Sequence, residues 1–175
     1  MSHRHIIFVP GKNPKPIAEQ HQNLLWRTLV EGVARADPTI VDDLSKHQEN
    51  FKLIAWNFLY YLEHDDISLH LPWVDQLMNQ HGPTEQDILD AKAWHRKLDT
   101  LLYSTVDHLP VLLRLIRGQL RATAEETNRY FHNVDKIGSQ VREQLKQELR
   151  PLLEKDHNIL LIGHSLGSVI AFDTL

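Results

Sequence analysis

Near the end of the chain, Gly163-His164-Ser165-Leu166-Gly167 sets a serine between two glycines at the spacing Gly-x-Ser-x-Gly. A serine hydroxyl attacks a carbonyl carbon once it is lifted clear of its surroundings and a base takes its proton. The spacing suits that task. Gly163 and Gly167 lack a Cβ, so an incoming strand and an outgoing helix can pass close together around the serine. At a helix N-terminus, unpaired N–H groups and the helix dipole also favour developing negative charge. His164 is too close in sequence to act as the base, since a neighbour at a tight turn points away. It is expected to pack beneath the turn.

That chemistry requires a strand before the serine and a helix after it. "NILLI", residues 158–162, reads as a strand of a parallel sheet, and "SVIAFDTL" behind the motif reads as a helix. At the other end of the chain, "HIIFV", residues 5–9, has the same buried-strand character and is closed by Pro10-Gly11. A loop, "KNPKP", leads to a helix carrying Leu24, Leu25, Leu29 and Val33 at helical spacing, stopped by Asp37-Pro38. "FKLIAWNFLYY", residues 51–61, reads as a second strand ending between Trp56 and Leu59.

From there the pattern is helical. Thr84 and Asp87 have capping-box spacing ahead of Ile88, Ala91, Leu98, Leu101 and Leu102, and Pro110 suits the start of another helix. A further helix puts Ile137, Val141, Leu145 and Leu149 on one stripe, and Pro151 is expected to kink or end it. Strands alternating with helices give an α/β fold of about three parallel strands and flanking helices. The stretch at about 62–135 is too long for an ordinary connection and reads as a helical insertion packed over one end of the sheet.

Composition excludes several classes. The chain of 175 residues is one domain's worth, 42% hydrophobic and 24% charged, with a net charge of −4. Its basic residues are interleaved with acids, which argues against nucleic acid as a partner. There is no cysteine, so disulfides and thiolate metal sites are excluded, which fits a reducing compartment. The four apolar residues before Pro10 are too few for a secretory signal, and no apolar run reaches membrane-span length. A cytoplasmic protein is expected. Gly11-Lys12 lacks the rest of a phosphate loop. His3-x-His5 and His64-Asp65-Asp66 lack further ligands at a recognisable spacing, so no metal and no cofactor is expected.

"LLIGHSLGSVIAFDTL" resembles the nucleophile elbow of the α/β-hydrolase fold, above all its lipase- and phospholipase-like members, and "IIFVPGKNP" resembles the strand and loop that donate half of its oxyanion hole. Many members have His-Gly where this chain has Pro10-Gly11. The resemblance covers the two ends and the order of elements, not the insertion. It implies a serine hydrolase of esterase or lipase type acting on a small-molecule or lipid ester. Ser165 would be the nucleophile. The backbone N–H of Leu166 would be one oxyanion donor, and that of Lys12, or alternatively Gly11, the other. It also implies that the first strand lies between the other two.

In that fold the acid and histidine follow the serine in sequence. Only ten residues follow Ser165, with Asp173 among them and no histidine; Asp173 reads as a solvated or structural residue. His3, His5 and His157 fall at the wrong end of the sheet, and His64, His70, His81, His95, His108 and His132 belong to the insertion. By this reading the chain is the first part of a hydrolase domain, inactive alone, whose second half is expected beyond Leu175. The alternative is a non-catalytic binding module that kept the elbow and lost the triad.

Overall fold

The computed structural model describes residues 4–80, 82–92 and 127–175. Three strands, β1 (Arg4–Val9), β2 (Phe51–Leu53) and β3 (Asn158–Gly163), form one parallel sheet in the order β2-β1-β3. β1 therefore lies in the middle, the order that the resemblance implies. Its full length pairs with β3, from Arg4 opposite Asn158 to Val9 opposite Gly163. Both strands end at the same level, so the loop after Val9 and the turn after Gly163 emerge side by side.

Helices cover both faces. On one, α1 (Ala18–Ala36) packs Trp26 against Phe51 of β2, with ring centroids 5.4 Å apart. Trp26 is the buried residue of this helix. Leu24, Leu25, Leu29 and Val33, the expected core face, are only half-buried. A short helix, α2 (Val41–Ser45), follows. On the other face lies α6 (Ile137–Leu153), whose stripe of Ile137, Val141, Leu145 and Leu149 is 4%, 0%, 0% and 5% exposed. These side chains join Ile7, Val9, Ile54 and Trp56 in the core, each worth about 1.5–3 kcal/mol of burial. The helix runs through Pro151 and ends two residues later. The final helix, α7 (Leu166–Thr174), completes this layer with Leu166, Ile170 and Ala171.

The second strand is shorter than its sequence suggests. β2 stops at Leu53, and "NFLYY" is a helix, α3 (Asn57–Tyr61), stopped at Leu62, where φ is +56°. The apolar, aromatic run favours a strand by propensity, but the Trp56 and Asn57 side chains are drawn sideways onto the loop after β1. Tertiary contacts override propensity here.

Within the insertion, α4 (Leu71–Asn79) is fastened to α1 by the Arg27–Asp75 ion pair at 2.6 Å and by Arg35, which donates to the Met78 carbonyl. α5 (Glu85–Lys92) opens with the expected capping box: the Thr84 N–H donates to Asp87 at 2.8 Å and the Asp87 N–H to Thr84 Oγ1 at 3.1 Å. Leu98, Leu101, Leu102 and the helix expected after Pro110 lie outside the described residues. Residues 127–131 are helical again and bring Tyr130 into the core.

β3 is an edge strand. Ile159 and Leu161 pack against the core, while Leu160, next to Ile6 in register, is 57% exposed. α1 sits over β2 at the opposite edge and leaves this side of the sheet bare. Among the described residues no helix is long and apolar enough to cross a membrane.

Candidate active site

Ser165 joins β3 to α7 with φ 53° and ψ −126°. Positive φ is uncommon for a residue with a Cβ, and this ψ lies well away from the left-handed helical basin. Such a conformation costs of order 1–3 kcal/mol and persists only where the surroundings enforce it. Here they do. The His164 N–H donates to the Val9 carbonyl at 3.0 Å, the Gly167 N–H to the His164 carbonyl at 2.8 Å, and the Ser168 N–H to the Ser165 carbonyl at 2.9 Å. The Ser165 side chain is exposed above this turn.

The glycines flanking the serine have no room for a side chain. A Cβ on Gly163 would stand 2.7 Å from Ser168 Cα, and one on Gly167 would stand 2.2 Å from the Val9 carbonyl oxygen. Gly11 is equally confined: its Cβ would meet His164 Nδ1 at 2.7 Å and Ser165 Cβ at 3.0 Å. The loop after β1 therefore touches the serine, and the recorded contact is through Gly11. His164 does not pack beneath the turn as expected. It is exposed and lies against that loop, because Leu166 and Ile170 occupy the space below.

Four consecutive carbonyls of the loop are held by side-chain donors. Trp56 Nε1 donates to the Pro10 carbonyl at 2.9 Å, and Asn57 Nδ2 donates to those of Gly11 at 2.8 Å and Asn13 at 3.0 Å. Lys15 Nζ donates to the Lys12 carbonyl at 2.9 Å. Tyr61 adds its hydroxyl as acceptor for the Asn13 N–H at 2.8 Å, with Asn13 at φ 76°. Trp56 and Asn57 are 0% and 3% exposed, so the clamp is rigid and dry. Sequence reasoning placed both residues in a strand; the one available signal was an asparagine inside an apolar run.

The buried backbone N–H groups of Gly11 and Leu166 make no hydrogen bond among the described residues. Both belong to the segments flanking Ser165. An arrangement of a lifted hydroxyl and unpaired amides on either side can accept a carbonyl and hold its oxygen as negative charge develops.

Other candidates fall elsewhere. Asp173 Oδ2 accepts from the Tyr130 hydroxyl at 3.0 Å, which ties α7 to the 127–131 segment; Asp173 is structural. Tyr130, beside Asp173 and Arg142, has its pKa raised chiefly by burial. His5 Nε2 and His157 Nδ1 are 2.9 Å apart across the starts of β1 and β3. The length of β3, about 20 Å at the usual rise, separates them from Ser165. Among the described residues, Ser165 Oγ has no hydrogen-bond partner, and no group of three or more His, Asp or Glu could hold a metal ion. His95 and His108 lie outside the described residues.

No family model, no curated protein and no solved structure matches this chain.

Proposed function

We propose that the protein is a serine hydrolase of the α/β-hydrolase type, cleaving a carboxylic ester through Ser165, and that it works in the cytoplasm. The observation that carries this reading is the backbone of Ser165, bent to φ 53° and ψ −126° between a strand and a helix beside Gly11. Nothing in the packing of an ordinary strand–helix turn calls for a serine in so costly a conformation. In the reaction, Ser165 Oγ attacks the ester carbonyl and loses its proton to a base. The carbonyl oxygen becomes an oxyanion between the amides of Leu166 and the Gly11–Lys12 segment. Collapse expels the alcohol, and water then releases the acid. Each oxyanion donor contributes about 10²–10³ to turnover.

The resemblance places the base and its acid after the serine in sequence, and among the described residues no histidine bonds to Ser165. That observation favours one second reading: a non-catalytic domain that retains the elbow. Hydrolysis of p-nitrophenyl butyrate separates the two. In a protein that also carries the expected acid and histidine, the hydrolase reading expects turnover that Ser165→Ala removes while the thermal melt is unchanged. Turnover that survives Ser165→Ala would assign the activity to another site, and a folded protein of that kind with none leaves the binding domain.

A further inference from the structure

We propose that a second site, a cleft between the start of α1 and the segment 55–64, binds the phosphoryl group of a small phosphate ester. The cleft has a volume of about 290 Å³ and is lined by Lys15, Ala18, His21, Asn57, Phe58 and His64 among others. Lys15 and Pro16, from the end of the loop after β1, form part of its lining, as does Asn57, which holds that loop. Ser165 is not among its lining residues.

Side chains with unused hydrogen-bond donors gather there. Lys15 is half-buried and spends one donor on the Lys12 carbonyl. No carboxylate of the described residues lies within ion-pair distance of it. The half-buried His21 has no hydrogen-bond partner among the described residues for either ring nitrogen, nor has His64. The His64 ring is fixed by stacking on Phe58, with centroids 4.7 Å apart and planes 10° from parallel. The two walls are fastened to each other, since Lys15 and His64 form a parallel bridge and the Asp65 N–H donates to the Lys15 carbonyl at 2.9 Å. The site is therefore built before any ligand arrives.

The start of α1 adds to this. It is a helix of 19 residues whose first turn has no side-chain cap, and Ala18 from that turn lines the cleft. Its unpaired N–H groups carry the positive end of the helix dipole. Glu19 and Asp65 are exposed, and neither lies within ion-pair distance of Lys15. Desolvation by the surrounding wall lowers the Lys15 pKa, and Asp65 only partly offsets this. A half-buried ammonium of this kind is relieved by an anion in contact with it.

An ammonium, two imidazoles and the start of a helix line the cleft. A tetrahedral oxyanion offers acceptors to all of them, whereas a carboxylate offers two oxygens in one plane. The volume suits a phosphoryl group with a small substituent and not a pair of acyl chains. His21 is neutral at pH 7, with its pKa lowered to about 4 by burial and by Lys15, so it serves as a donor without repelling the lysine.

The test is a titration of the full chain with inorganic phosphate at pH 7.5 and constant ionic strength, followed by the ring resonances of the histidines. The expected result is a saturable shift at His21 and His64, none at His5 and His157, and about tenfold or more weaker binding in Lys15→Met. Lys15→Arg, which keeps the charge, retains binding and guards against a folding defect. Ser165→Ala binds as the parent does, so the site stands or falls apart from the hydrolase reading. Acetate at the same concentration gives no saturable shift. Vesicles of phosphatidylcholine with phosphatidate bind no better than phosphatidylcholine alone if the ligand is a free phosphate ester; stronger binding that Lys15→Met removes would make a lipid headgroup the source. Shifts in the parent protein that match those from chloride or acetate, or that survive in Lys15→Met, overturn the proposal.

Discussion

Replacing Gly167 by alanine puts a methyl group where the chain has left no room. The new Cβ would lie 2.2 Å from the Val9 carbonyl oxygen, 2.5 Å from that of Pro10 and 2.8 Å from the Val9 carbonyl carbon. All three are backbone atoms at the end of the central strand, so no side chain can swing aside. Reaching even 3.0 Å requires α7 and β1 to separate by about 0.8 Å. Overpacking of this kind costs about 1–3 kcal/mol. The same movement stretches the 3.0 Å bond from the His164 N–H to the Val9 carbonyl, worth about 1 kcal/mol. The expected destabilisation is about 3 kcal/mol, and with a urea m-value of about 2 kcal/mol/M the midpoint falls by about 1.5 M. Gly32→Ala is the control. A Cβ there meets nothing within 4 Å, on the exposed side of α1, and the substitution should stabilise by about 1 kcal/mol. Urea unfolding followed by circular dichroism measures both. If the Gly167→Ala midpoint stays within about 0.3 M of the parent, the close passage of α7 over β1 is wrong.

Three further outcomes follow from the same structure. Asn57→Leu leaves the carbonyls of Gly11 and Asn13 without their donor in a dry site; it should cost about 2–3 kcal/mol in urea and speed amide exchange in the loop, and a cost under 0.5 kcal/mol would dismiss the clamp. His21, with a folded pKa of about 4 against 6.5 in the unfolded chain, binds its proton more readily when unfolded. Stability should therefore be lost as pH falls from 6.5 towards 4, and His21→Gln should flatten that slope; an unchanged slope would mean that other groups set it. Leu160→Lys, on the bare side of the edge strand, should leave the melting temperature unchanged and reduce self-association seen by light scattering, whereas a large loss of stability would place that side chain in a covered site.

Much of the fold is legible in the residues because it rests on local pattern. The stripe of Ile137, Val141, Leu145 and Leu149 marks its helix face without ambiguity, since the period matches and nothing else in the segment competes. The two apolar runs at 5–9 and 158–162 are strands for the same reason, and the two elbow glycines announce a crowded turn. What escaped the sequence depends on contacts distant along the chain. Trp26 is the buried side chain of α1 because it faces Phe51, whereas the leucines at helical spacing on that helix are only half-buried. Trp56 and Asn57 look like strand residues until Pro10 and Gly11, 46 residues earlier, claim their side-chain N–H groups. His164 was expected below the turn, yet the helix that follows fills that space. The gathering of Lys15, His21 and His64 arises from the bridge between Lys15 and His64, which no spacing reveals.

The account turns on whether Ser165 is a nucleophile. Incubating a folded protein that carries the expected acid and histidine with a fluorophosphonate probe, and locating the added mass by tandem mass spectrometry, answers this directly. The account predicts a single modification, on Ser165, that is absent from Ser165→Ala and from protein unfolded before treatment. Modification at other serines alone, or none in a protein that melts cooperatively, would contradict it.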